Sequence, residues 1–217
     1  MLLVSRSLAI ALLVGTLLLG GGALLHPMLP ADVPGQLRMI ASTWYFRPVH
    51  LAMLAGSALL IAGVWARGLL GRPPITPVLV MSLALICLGL SFNAIDIAFM
   101  GNAGWNMALR YQAGDVSMLG LFEALHRFGL TTARFGNCLV ALGALVLAIV
   151  ERQDRESPSW LEWLAWIAAV GGLLGVLCVP ESSLLTLTAV SLIPVWCVGV
   201  AVWALRGAGG AADLTSQ

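Results

Sequence analysis

Apolar residues fall in long unbroken runs rather than in the alternation of a half-buried strand or the stripe of a soluble amphipathic helix. Six runs come near the length of about 20 residues that a bilayer requires of a helix. They extend from Ser7 to Leu25, Pro48 to Ala66, Thr76 to Met100, Leu121 to Val150, Trp160 to Val179 and Leu184 to Leu205. The pattern predicts an all-α, polytopic integral membrane protein, a six-transmembrane-helix bundle in a single domain over residues 1–217. The first run resembles a signal-peptide core, but Leu25-His26-Pro27 lacks a small-x-small cleavage pattern, so it reads as a retained helix. Pro48 and Pro77 are placed to open the second and third helices, and Pro194 predicts a kink within the last.

Two polar-interrupted connections stand out, and both fall on the same side. One runs from His26 to Arg47, where Asp32 or Pro34 can start a short helix. The other runs from Gly101 to Gly120. Each mixes aromatic and polar residues, Trp44 among them, and reads as an amphipathic segment lying over the bundle in the headgroup layer.

Composition agrees. Of 217 residues, 60% are apolar and 10% charged, with a mean hydropathy of +0.97; a soluble domain has about 45–50% and about 25%. A net charge of +1 offers no field to attract nucleic acid. All eleven basic residues are arginine, which removes lysine chemistry. Arg6, Arg67, Arg72, Arg152, Arg155 and Arg206 fall on the side of the N-terminus, against Arg38, Arg47 and Arg110 opposite. This places both termini in the cytoplasm, in a membrane such as the bacterial inner membrane. The four cysteines sit in apolar runs without a CxxC and read as small hydrophobes.

Candidate chemistry gathers at the end opposite the termini. All three histidines, His26, His50 and His126, map to the same ends of their helices. Asn93 and Asp96 approach that end on the third helix, and Glu123, Arg127, Thr131 and Arg134 recur on one face of the fourth. An intramembrane charge costs at least ~2.5 kcal/mol, so Arg134 should find a carboxylate, with Asp96 the first candidate.

The constellation points to a ligand pocket. Asp96, Glu123 and His126 are its acid–base candidates, and Arg134, Asn93, Arg127 and Trp44 its binding candidates. Three histidines with a carboxylate suit a metal ion, and His50 with His126 could ligate haem. A lipid-soluble substrate at the outer leaflet is the third option. Against these stand two other readings, an accessory subunit of a membrane complex and a small oligomeric transporter. The glycine stripes, Gly129-Gly136-Gly143 and Gly171-Gly175, predict close packing within the chain, with a homodimer face as the second reading.

Overall fold

The computed structural model describes residues 2–70, 75–153, 158–178, 194–203 and 205. Their order is α1 (Leu2–Leu25), α2 (Val33–Ser42), α3 (Phe46–Leu70), α4 (Pro77–Ala98), a π-helical turn (Phe99–Gly104), α5 (Trp105–Gln112), α6 (Met118–Gln153) and α7 (Ser159–Cys178). A short helix, α8 (Pro194–Trp203), follows. The described residues contain no strand.

Three segments are long and apolar enough to cross a membrane: Phe46–Trp65, Pro77–Gln112 and Met118–Val150. Ala9–Leu25, Ser159–Val170 and Pro194–Trp203 are shorter apolar helices. The described residues are thus helical, and three of their helices could cross a membrane. The sixth expected span is described only from Pro194 onward; residues 184–193 and the expected kink around Pro194 lie outside the described residues or at their edge.

One apolar core joins α1, α3, α4, α6, α7 and α8, from Leu12 and Leu60 through Leu83, Ile86 and Val140 to Leu161, Trp196 and Ala201. Close backbone approach builds it. Gly129, Gly136 and Gly143 all face α4: a Cβ at Gly136 would lie 2.5 Å from the Gly89 carbonyl oxygen, and one at Gly143 would lie 2.8 Å from that of Ser82. The seven-residue stripe therefore serves packing within the chain. Gly15 and Gly56 do the same between α1 and α3, where a Cβ on either would lie 2.8–2.9 Å from the other's carbonyl oxygen. The Gly171-Gly175 stripe lies in α7, and its packing is outside the described residues.

A second, separate core lies at one end of the bundle. Leu37, Ile40, Phe46, Met100, Ala108 and Phe122 are buried there, between α2, α5 and the ends of α3 and α6. Local sequence builds both cap helices. Asp32 is the N-cap of α2, its Oδ1 accepting from Gly35 N at 2.6 Å, as expected of this segment. Between α5 and α6 the chain turns at Gly114, whose φ of +99° favours glycine. The expected lid from Gly101 onward is not a free loop. Helix α4 runs into it through the π-turn, whose wider winding re-phases α5 so that Ala108 points into the cap core. At 36 residues α6 is about 54 Å long, against a hydrocarbon layer of about 30 Å, so it supports the cap as well as the bundle. It starts at Met118, three residues before the expected Leu121.

Candidate functional site

The histidines converge where the cap meets the bundle. His26 follows the last turn of α1, His50 lies one turn into α3, and His126 lies two turns into α6. The rings of His26 and His50 meet edge to face with centroids 5.0 Å apart. Phe46 lies 4.2 Å from His50 and 5.5 Å from His26, and Trp105 stacks beyond Phe46 at 6.3 Å. Phe122 carries His126 at 5.1 Å. Two phenylalanines thus floor a layer of three imidazoles. His50 is 3% exposed, and Gly101 of the π-turn presses on its Cβ, where a residue with a side chain would collide.

Hydrogen bonds orient two of these rings. His50 Nδ1 lies 2.8 Å from the Phe46 carbonyl oxygen. A carbonyl only accepts, so Nδ1 carries the hydrogen, and in the neutral ring Nε2 holds the lone pair. His126 follows by a longer chain. Gln36 Nε2 donates to the Pro30 carbonyl at 2.9 Å, which turns Gln36 Oε1 toward His126 Nδ1 at 3.2 Å. His126 therefore also donates through Nδ1, and Gln36 ties α2 to α6. His26 lies outside the helices; burial first, and then the neighbouring His50, lower its pKa from 6.5 to about 4. It is neutral at physiological pH.

The remaining predicted residues divide. Asp96 lies about a turn below this layer on the seam between α4 and α6. Its carboxylate abuts Gly129, and Oδ1 is buried without a hydrogen-bond partner. Gly129, not Arg134, is therefore the α6 position facing Asp96. Arg134 is five residues further on, about 140° around the helix, and half-buried. Asn93 Nδ2 donates to Asn137 Oδ1 at 2.9 Å along the same seam.

Other candidates face outward. Glu123 accepts from Arg127 Nη2 at 2.6 Å as an i,i+4 ion pair, with the Arg127 side chain 78% exposed. The two thus neutralise each other at the surface, and Glu123 is engaged there by its own helix. Trp44 is 81% exposed and meets only Tyr45, edge to face at 5.6 Å, among the ring contacts of the described residues.

Among the described residues no group of three or more His, Cys, Asp or Glu is placed to hold a metal ion. The reason is visible. His26 and His50 contact through their rings, Asp96 is turned to Gly129, and Glu123 is held by Arg127. Phe46 and Phe122 lie against the rings that would ligate haem. The expectation of a metal or haem site at His26, His50 and His126 is not supported. Sequence reasoning missed Gln36, Phe46, Phe122 and Gly101; the one readable signal was Phe46-x-x-x-His50, an i,i+4 spacing at a helix start.

The chain matches no family model, no curated protein and no solved structure.

Proposed function

We propose that this is a six-span protein of a bacterial inner membrane, with both termini cytoplasmic, whose cap lies on the extracytoplasmic side and covers a binding site for a lipid-soluble molecule. The supporting observation is the layer of three imidazoles, two of them oriented with Nδ1 as donor and Nε2 as acceptor, between an apolar bundle and an apolar cap. Neutral imidazoles do not attract phosphate or carboxylate. They accept a hydrogen bond from a hydroxyl, or take its proton. Of the arginines at this end, Arg38 and Arg110 are exposed and sit beside Asp32 and Asp115, and Arg47 is exposed at the start of α3. The ligand class is accordingly an apolar, hydroxyl-bearing molecule such as an isoprenoid alcohol or a phenol. Partners beyond the bilayer, and a homodimer, are no part of this reading.

A benzophenone-bearing farnesol analogue tests it on protein purified in detergent. Saturable labelling of the segments around α2, the π-turn and the start of α6, displaced by farnesol, supports the site. Loss of one neutral hydrogen bond, about 1 kcal/mol, should weaken labelling about fivefold in His50→Ala. Labelling spread over lipid-facing helices, with no displacement, removes the reading.

A further inference from the structure

The least explained polar group of the described residues is the Asp96 carboxyl. It ends the last regular turns of α4, about 28 Å along the axis from Pro77 and so at the cap-side edge of the apolar layer. Its Oδ1 is buried and has no hydrogen-bond partner. The chain makes specific room for it. Gly129 is the α6 residue opposite, and any side chain there would occupy the position of the carboxyl oxygen. Three residues deeper, where the seam also carries polar groups, Asn93 and Asn137 satisfy each other. The vacancy of partners at Asp96 is therefore local and not a general looseness of the seam.

The surrounding charges explain little of it. On α6 the ion pair Glu123–Arg127 is exposed and closed on itself, Arg134 lies on another face from Gly129, and His126 is held by Gln36. On α3 the nearest titratable group is His50, reached through Gly101 of the π-turn. His26 lies beyond His50. The cap pairs Asp32–Arg38 and Arg110–Asp115 are exposed. On α4 itself Asn93 is engaged with Asn137, and Ser91 Oγ donates to the Cys87 carbonyl.

We infer that Asp96 is a proton-binding site, its ligand a single proton taken up on the carboxylate between α4 and α6 beneath the histidine layer. A bare carboxylate oxygen shut away from water and from donors carries a desolvation cost of several kcal/mol, and binding a proton removes that charge. The step is one O–H bond formed on the carboxylate, with no other bond changed. The proton also converts an acceptor-only group into a donor, which the backbone of a helix in contact can receive. The three imidazoles stand about one turn above, on the capped side. The site is independent of the binding reading, since it requires no organic ligand.

Infrared spectroscopy tests it directly on the full chain in lipid. A protonated carboxyl has a C=O stretch well separated from the amide bands. The expected result is a carboxylic-acid band in the wild type that grows in on mild acidification, shifts in D2O, vanishes on alkaline titration and is absent from Asp96→Asn. Asp96→Glu should keep a band at a changed frequency, which covers the case of an Asn variant that fails to fold. Label on the aspartate carboxyl carbons should shift the wild-type band. A wild-type spectrum with no such band at any pH at which the chain stays folded, or a band that survives intact in folded Asp96→Asn, overturns the assignment. Failure of the farnesol labelling leaves this result untouched, and the reverse holds.

Discussion

The bundle and its cap are built on opposite rules. In the bundle, glycines let backbones touch, and the polar groups mostly turn back on their own helix, as Ser57, Ser82 and Ser91 do, with Asn93 and Asn137 paired across the seam. In the cap, large residues fill the space: Leu37, Ile40, Phe46 and Phe122 are fully buried, and the imidazoles sit on their rings. Small residues give a membrane seam its closeness, because burial of apolar surface offers little drive in lipid. A cap that emerges into headgroups and water can use burial, at about 1.5–3 kcal/mol for each large side chain. The histidines lie at the border of the two regimes, with His50 buried and His26 held neutral by burial and by its neighbour His50.

The contrast is broken most severely by a substitution in either core. Gly136→Leu places a branched side chain against the Gly89 carbonyl and Asn93, where no rotamer escapes backbone. Overpacking of this kind costs about 1–3 kcal/mol and often more, read as a drop in thermal unfolding temperature in detergent and loss of monodisperse elution. Phe122→Ala in the cap costs about 3–5 kcal/mol at a buried site. Hydrogen exchange should localise that loss to α2 and α5 and leave α4 and α7 protected. If exchange rises uniformly, the two cores are one cooperative unit and the comparison fails.

Acid sharpens it next. The folded-state pKa of His26, about 4, lies below its ordinary 6.5. Between these values the unfolded chain binds the extra proton, so stability falls as pH drops through that window and is fully present above it. His26→Gln should flatten the profile between about 6.5 and about 4, measured as unfolding temperature against pH. A smaller effect is expected from Gln36→Ala, which leaves the Pro30 carbonyl and His126 Nδ1 without this partner and costs about 1 kcal/mol. It should raise exchange in α2 alone. Smallest is Glu123→Ala: an exposed i,i+4 pair is worth about 0.3–0.5 kcal/mol, and neither farnesol labelling nor the cap should change.

Much of the architecture is legible in the sequence. The apolar runs locate the long helices, Asp32 and Thr76-Pro77 mark true helix starts, and the Gly129-Gly136-Gly143 spacing foretells the seam with α4. The convergence of the histidines follows from helices that alternate in direction. What periodicity does not carry is phase across a border. The π-turn adds a residue to the helical winding, so no regular wheel predicts that Gly101 meets His50. Arg134 and Asp96 are at plausible depths but different azimuths, and Glu123 finds Arg127 on its own helix before any partner elsewhere. Gln36 joins His126 across 90 residues, a contact that exists only once the cap has folded.

The account depends most on how the cap sets the imidazoles, and the chain has only three histidines to resolve. Nitrogen-15 NMR of histidine-labelled protein in lipid reads the tautomer of each ring from its two nitrogen shifts, with His26→Gln, His50→Ala and His126→Ala assigning the signals. The prediction at neutral pH is that the His50 and His126 rings are neutral, protonated at Nδ1 and bare at Nε2. Rings protonated at Nε2, or doubly protonated in the folded protein, would contradict it.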